Sequence, residues 1–207
     1  SQMKMTVLSL LYLLIYVWQV SWMLQQYRQR IESGAVVLFF IQVFSTFSFA
    51  VLNSTMVLYL TRYLEFTDIM ATGVAATFLA FNYALHLLGG YIGGRFMSYR
   101  GLFCLGMILQ TIACILLYQS GVHESSLYWA LALFLTGSGF NVTCINCMLT
   151  QLFSPQDRRR ETAFYWNYSG MNVGFFAGGW IAGLFDQAHD LGHLYLYSSI
   201  ANVCAFL

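Results

Sequence analysis

The charged residues of this 207-residue chain all lie in short gaps between long apolar stretches, and this pattern restricts what the chain can fold into. The seven stretches are Met5–Leu24, Ala35–Leu60, Met70–Ile92, Gly101–Ser120, Leu127–Phe153, Ala163–Phe185 and Leu194–Leu207. A charge at the centre of a bilayer costs about 2.5–3.5 kcal/mol, and a membrane-crossing helix needs roughly 20 apolar residues. The sequence therefore predicts an all-α protein that crosses the membrane repeatedly.

The composition supports a membrane protein and excludes several other classes. Charged residues make up only 8% of the chain, against roughly 25% in a soluble domain. The net charge of +1 gives no reason to expect a nucleic-acid partner. The sequence has no metal-site spacing, nucleophile–base pair or phosphate-binding loop. We therefore predict neither an enzyme nor a cofactor; the expected partners are a lipid bilayer and a small-molecule substrate.

Basic residues alternate between successive gaps. The gaps at residues 25–34, 93–100 and 154–162 hold seven Arg, whereas the N-terminus and the other gaps hold only Lys4 and Arg62. Because Lys and Arg are enriched in cytoplasmic loops, these three gaps are predicted to be cytoplasmic. The expected location is the bacterial inner membrane.

The first apolar stretch differs from the others, because its Arg residues follow the apolar run, whereas a signal peptide carries its charge before the run. We interpret residues 1–34 as an extra N-terminal helix with a cytoplasmic linker; a displaced or foreign segment is the alternative. Residues 35–207 are expected to form a six-helix bundle that is truncated in its sixth helix.

Polar residues recur on single faces of several predicted spans. Gln42, Ser45, Thr46 and Asn53 share one helix face, and Tyr165, Tyr168 and Asn172 share another. Asn141 and Asn146 lie on a third helix, and Asn82, Tyr83 and His86 lie on a fourth. Such residues either line a common watery cavity or form interhelical hydrogen bonds worth roughly 0.6 kcal/mol each. The substrate-binding candidates are Gln42, Asn53, Tyr83, Asn141, Tyr168 and Asn172.

Two further features concern proton coupling and helix packing. His86 lies deep in a span, and its ordinary pKa is near neutrality; it is either a neutral hydrogen-bonded residue or a proton-linked site. Gly170, Gly174 and Gly178 repeat every four residues, which predicts a close contact between two helices.

Three segments carry a family resemblance. They are FSTFSFAVLNSTMVLYL at residues 44–60, GGYIGGRFMSYRGLFCLG at 89–106 and DRRRETAFYWNYSGMNVG at 157–174. Their order and spacing resemble the first helix, the helix 2–3 loop and the helix 5 signature of the proton-dependent oligopeptide transporters. These transporters belong to the major facilitator superfamily. The resemblance covers residues 36–207.

The resemblance implies the N-terminal six-helix half of a two-half transporter, with a missing C-terminal half as its partner and the substrate between them. It implies that Asn172 contributes to the substrate site and that Arg95 and Arg100 belong to a cytoplasmic gate loop. The family's charged coupling residues correspond here to uncharged ones, Asn53 and Val142 among them. The chain thus resembles a divergent member that carries a less charged solute.

The function expected from these observations is secondary active transport. A small organic solute, such as a peptide, an amino acid or a related metabolite, would cross by alternating access, with proton coupling left open. One alternative is a transport-inactive homologue that acts as a membrane sensor or assembly partner. Another is a facilitator or exporter of an uncharged metabolite or drug.

Overall fold

A computed structural model describes residues 33–120, 125–187 and 190–207, and these residues form six helices. The helices are α1 (Ser33–Arg62), α2 (Asp68–Ile92), α3 (Tyr99–Ser120), α4 (Ser125–Leu152), α5 (Arg159–Gln187) and α6 (Leu191–Phe206). The described part of the chain contains no strand. The all-α fold class is therefore confirmed, while the predicted extra helix before residue 33 lies outside the described residues.

Four of the six described helices are long and apolar enough to cross a membrane, namely α1 to α4. The helix α5 has 29 residues, but its tyrosines, asparagines and glycines make it less apolar. The helix α6 has 16 residues and is about 24 Å long, which is short of the roughly 30 Å of a bilayer core. The predicted spans at residues 163–185 and 194–207 thus form helices that do not meet this criterion.

The helices pack as one bundle. The most extensive contacts join α3 to α4 and α6, α1 to α5 and α6, and α4 to α2. Smaller contacts of α1 with α2 and α4 complete the bundle. This arrangement leaves space between α1, α2, α4 and α5.

The glycine repeat of α5 lies against the backbone of α1. A Cβ added at Gly174 would lie 2.7 Å from the carbonyl oxygen of Val43, and one at Gly178 would lie 2.9 Å from that of Phe47. Only a residue without a side chain allows two backbones to come this close. The close contact predicted from the four-residue spacing is confirmed.

A second pair of glycines joins α3 to α4. A Cβ at Gly137 would lie 2.5 Å from the carbonyl oxygen of Gly106, and one at Gly106 would lie 2.9 Å from that of Gly137. The two helices therefore meet backbone to backbone halfway along their length. The contact also positions Gln110 on α3 and Asn141 on α4, which pack against Gly137 and Gly106.

The buried apolar side chains form two separate clusters at different depths in the bundle. One cluster includes Leu60, Phe78 and Leu117, and the other includes Leu38, Phe103 and Leu149. Between them lies a polar layer of buried side chains from α1 to α5, comprising Gln42, Ser45, Thr46, Asn82, Gln110, Ser138, Asn141 and Asn167. The bundle is thus apolar near both ends and polar in the middle.

The two ends of the bundle differ in charge. The helices α2 and α4 run parallel, since Asn82 is hydrogen-bonded to Ser138 and Gly90 lies next to Thr143. The loops that follow them therefore lie at one end, together with five Arg residues, and we call this the Arg-rich end. At the opposite end the described residues include one Arg, Arg62.

Arg62 forms an ion pair that joins α1 to α5. Its Nη1 lies 2.6 Å from Asp186 Oδ1, and the two side chains are 48% and 27% exposed. Since partly exposed pairs contribute little, we expect Asp186→Asn to lower the free energy of unfolding by about 1 kcal/mol or less. A double-mutant cycle with Arg62→Gln, followed by thermal unfolding in detergent, should give a small coupling energy that falls with salt. A salt-independent coupling above about 2 kcal/mol would contradict this.

Candidate functional site

A central cavity of about 370 Å³ lies in the polar layer. Its lining residues are Gln42, Ser45, Thr46, Phe49, Asn82, Tyr83, His86, Gln110, Ser138, Asn141, Val142, Met171 and Phe175. They come from five helices and lie away from the helix ends. No Asp, Glu, Lys or Arg lines this cavity within the described part of the chain.

The wall formed by α1 is polar because its side chains follow the helical repeat. Gln42, Ser45 and Thr46 are all buried and face the same side of the helix. The Gln42 side chain donates from Nε2 to Thr46 Oγ1 at 2.8 Å, and Ser45 Oγ donates to the backbone oxygen of Gln42 at 3.3 Å. Phe49, one turn further, adds an apolar surface.

The opposite wall is formed by α2 and α4, which are linked by two hydrogen bonds. Ser138 Oγ donates to Asn82 Oδ1 at 2.6 Å, and Thr143 Oγ1 donates to the backbone oxygen of His86 at 3.0 Å. Tyr83 is 67% exposed and borders the cavity. The bond between Asn82 and Ser138 joins the two helices, so these two side chains have fewer donors and acceptors left for a ligand.

The remaining polar groups of the cavity have free hydrogen-bonding capacity. Gln110 Nε2 and Oε1, Asn141 Oδ1 and His86 Nε2 are buried and have no hydrogen-bond partner among the described residues. Buried polar atoms in native proteins are bonded to protein, water or ligand in the great majority of cases. We call these three residues the unpaired wall, because these buried donors and acceptors have no partner among the described residues.

A second chamber of about 340 Å³ adjoins the central cavity and shares Gln42, Val142 and Met171 with it. Asn167 on α5 donates from Nδ2 to Gln42 Oε1 and to Asn146 Oδ1, both at 3.4 Å. The amide of Asn167 thus links α5 to α1 and α4 beside this chamber. Asn146 therefore takes part in an interhelical hydrogen bond.

An open groove of about 820 Å³, here called the vestibule, follows at the Arg-rich end and shares Phe164 and Tyr165 with the second chamber. Its charged lining residues include Asp157. Hydrogen bonds from the side chain and backbone of Arg159 hold the pKa of Asp157 below its ordinary value, so this carboxylate is ionised at neutral pH. Central cavity, second chamber and vestibule follow one another from the middle of the bundle to one end.

The candidate residues from the sequence are distributed unevenly over these spaces. Gln42, Tyr83, His86 and Asn141 line the central cavity, and Tyr168 lines the second chamber. The fold thus brings four of the candidates to one cavity and Tyr168 to the chamber beside it, and their role in substrate binding stays a prediction.

Asn53 and Asn172 are exposed and line neither chamber. Asn53 shares the helix face of Gln42, but 11 residues place it about 16 Å further along the axis, beyond the polar layer. Asn172 donates from Nδ2 to the backbone oxygen of Tyr168 at 3.0 Å. The structure therefore does not bring these two amides into either chamber.

Gln110 and Ser138 are polar cavity residues that sequence reasoning missed, and Gln110 is the more informative case. It is a fully buried amide midway along α3, and no polar stripe accompanies it in the sequence. The available signal was an isolated Gln inside an otherwise apolar span, where a buried polar group needs a partner.

The predicted gate loop forms a tight turn between α2 and α3. Gly94 has a φ of +78°, and its N–H donates to the Met97 oxygen at 2.8 Å. The guanidinium of Arg95 lies 4.8 Å from the centre of the Tyr91 ring, and Arg100 is exposed at the start of α3. Both Arg residues lie at the end of the bundle, and their gating role stays a prediction.

Comparison with known proteins identifies relatives by sequence. Dipeptide and tripeptide permease A of Proteus mirabilis (strain HI4320) is 26% identical over 172 residues, covering 80% of this chain and 35% of the permease. The permease of the same name from Erwinia pyrifoliae is 25% identical over 160 residues, covering 75% of this chain and 32% of the relative. The chain thus spans about a third of the length of these relatives.

Solved structures show the same fold. A peptide transporter POT in complex with sulfate superimposes with a TM-score of 0.80 at 20% identity, covering 86% of this chain and 38% of that chain. A POT family transporter in complex with 5-aminolevulinic acid gives a TM-score of 0.79 at 21% identity, covering 84% and 36%. These structures show the fold, and the permease relatives confirm the resemblance to the oligopeptide transporters.

The family profile of the Major Facilitator Superfamily matches residues 38–207, which is most of the chain. This match and the apolar helices α1 to α4 identify an integral membrane protein. We conclude that the chain belongs to the Major Facilitator Superfamily.

Proposed function

We propose that the full-length protein is a secondary active transporter that moves a small organic solute across the membrane by alternating access. The observation that carries this proposal is the polar central cavity, which lies between two apolar clusters and leads through a second chamber towards one end. In transporters of the Major Facilitator Superfamily the substrate lies near the midplane of the bilayer, between two six-helix halves. A C-terminal half that completes the site is part of the proposal.

The state of the polar groups supports a solute site over static helix packing. Side chains that only join helices use their donors and acceptors on each other, as Asn82 and Ser138 do. Gln110, Asn141 and His86 instead leave buried polar atoms without partners among the described residues. Since such atoms are costly in a packed interior, their concentration at one cavity favours a binding role.

The solute class follows from the relatives and from the lining. The relatives are named as dipeptide and tripeptide permeases, so we propose a peptide, an amino acid or a related metabolite. The central cavity offers amides, hydroxyls, a phenol and an imidazole, together with Phe49, Met171 and Phe175 as apolar surfaces. A few directional polar groups among apolar walls are typical of sites for small organic molecules.

We assign proton coupling in this half to His86. His86 lines the central cavity. Histidine is the side chain whose ordinary pKa lies near neutrality, so it can bind and release a proton at physiological pH. Its Nε2 is buried and has no partner in the described part of the chain. A proton bound there would place a charge beside the solute, which is the physical basis for linking the two.

The orientation proposed from the positive-inside rule places the Arg-rich end in the cytoplasm of a bacterial cell. The vestibule would then open to the cytoplasmic side of the inner membrane. Arg95 and Arg100 would lie on that side, where they could contact the other half during closure.

Replacement of Asn141 by Leu should reduce transport without unfolding the protein. It removes a polar group from the central cavity while keeping a side chain of similar volume, so we expect roughly tenfold slower uptake or more. The measurement is uptake of labelled dipeptides and amino acids by proteoliposomes containing the full-length protein. The matched control is Thr136→Val on the same helix, where the hydroxyl donates to the backbone oxygen of Ala132. Unchanged uptake by a folded Asn141→Leu variant would contradict the proposed site.

A further inference from the structure

The amide of Gln110 is held in the unpaired wall by the α3–α4 contact. Its side chain is fully buried yet borders the central cavity. A Cβ at Gly137 would lie 2.9 Å from Gln110 Cγ, so the stem of the side chain packs directly on the α4 backbone. The amide is therefore fixed in place, while its Nε2 and Oε1 have no partner among the described residues.

Asn141 lies on the same wall because of a second glycine. A Cβ at Gly106 would lie 2.8 Å from Asn141 Oδ1, so the absence of a side chain at Gly106 makes room for this amide. The Oδ1 atom is buried without a partner in the described part of the chain, as is His86 Nε2. The wall therefore offers one complete amide, a further acceptor and an imidazole nitrogen.

We propose that Gln110 and Asn141 form a subsite for an uncharged amide group of the solute, in which a carbonyl oxygen and an N–H are presented side by side. This inference rests on the proposed transport function and adds a substrate class to it. The Gln110 amide can donate from Nε2 to the solute carbonyl and accept at Oε1 from the solute N–H. Asn141 Oδ1 accepts from a second N–H of the solute.

The charge of the cavity disfavours the alternative, a free carboxylate or ammonium at this wall. No ionised side chain among the described residues lines the central cavity, and Phe49, Met171 and Phe175 complete its surface. While His86 is neutral, a charged terminus placed there would lose its hydration without gaining an opposite charge. A neutral amide loses less hydration free energy than a charged terminus, and it regains its hydrogen bonds from Gln110.

A cyclic dipeptide is the probe that matches this subsite. The ring of cyclo(Ala-Phe) is uncharged, and each of its cis amides presents N–H and carbonyl on one edge. Linear Ala-Phe has the same side chains but carries both charged termini. The full-length purified protein would be titrated with each compound by isothermal calorimetry, and thermal unfolding would report that the variants are folded.

We expect wild-type protein to bind the cyclic dipeptide roughly tenfold more tightly than the linear one, or better, and Gln110→Leu to lose most of that preference. Gln110→Met serves where Leu prevents folding, because it keeps the unbranched shape without the amide. Thr111→Val, the adjacent position with its hydroxyl bonded to the backbone of Met107, should bind both as wild type does.

Equal or tighter binding of the linear dipeptide would overturn the inference and leave transport intact. The same holds if folded Gln110→Leu and Gln110→Met retain the wild-type preference. If neither compound binds and no solute is transported in proteoliposomes, the proposed function itself fails, and this inference fails with it.

Discussion

Replacement of Gly178 by Val is expected to prevent the protein from folding normally. A Cβ at this position would lie 2.8 Å from the Cβ of Ala50 and 2.9 Å from the backbone oxygen of Phe47. Both obstacles belong to the rigid backbone region of α1, so neither can move aside as a flexible side chain could. Overpacking typically costs about 1–3 kcal/mol, and separating two helix backbones should reach the upper end of that range or exceed it.

The matched control is Gly183→Val on the same helix. An added Cβ at Gly183 meets nothing within 4 Å, so this variant should be close to wild type. The measurement is the yield of monodisperse protein after detergent extraction, together with its thermal unfolding temperature. Normal yield and stability of Gly178→Val would show that the α1–α5 contact is not as close as described here.

Replacement of Val142 by Trp is expected to abolish transport while leaving a folded protein. Val142 is half-buried and borders both the central cavity and the second chamber. An indole at this position can extend into the existing space, so it obstructs the route without forcing packed helices apart. We expect uptake to fall by roughly a hundredfold or more, because no solute-sized passage remains.

Ala132→Trp provides the control for this variant, since Ala132 is exposed on α4 and does not line the cavity. Both variants would be reconstituted in proteoliposomes and compared for uptake, with thermal unfolding as the test of folding. Wild-type uptake by Val142→Trp would mean that the solute does not pass between the central cavity and the second chamber.

Sequence reasoning succeeded where a feature depends on helical periodicity. The spacing of Gly170, Gly174 and Gly178 predicted a close contact, and α5 does lie against α1 at these residues. Gln42 was chosen from a polar stripe, and it lines the central cavity. The helical repeat shows which residues share a face of a helix, and at a given depth residues of one face contact the same neighbouring helix.

Depth along the helix could not be predicted in this way. Asn53 was selected with Gln42 because the two share a face, but only Gln42 lies in the polar layer. The boundary between the polar layer and the apolar clusters depends on how neighbouring helices are staggered. That stagger is set by contacts such as the one between Gly106 and Gly137, which are distant in sequence.

Isolated polar residues could not be assigned to the cavity from the sequence either. Gln110 has no polar companions on its face of α3, so only the packing of α4 reveals that its amide borders a cavity. The structure gives Gln110 its neighbours: Asn141 from α4 and His86 from α2 line the same space. A search for polar stripes therefore overlooks a cavity residue such as Gln110, which is the one amide on its helix face.

The central claim is that the polar layer surrounds a watery route for solute, and cysteine labelling tests it directly. Met171 borders both chambers, whereas Ala182 on the same helix is buried in an apolar cluster. Each would be changed to Cys in full-length protein whose native cysteines, including the five of this chain, have been replaced, and then treated with a charged, water-soluble thiol reagent in membranes. We predict that Met171→Cys reacts rapidly and that Ala182→Cys does not. Equal lack of reaction at both positions would contradict the account.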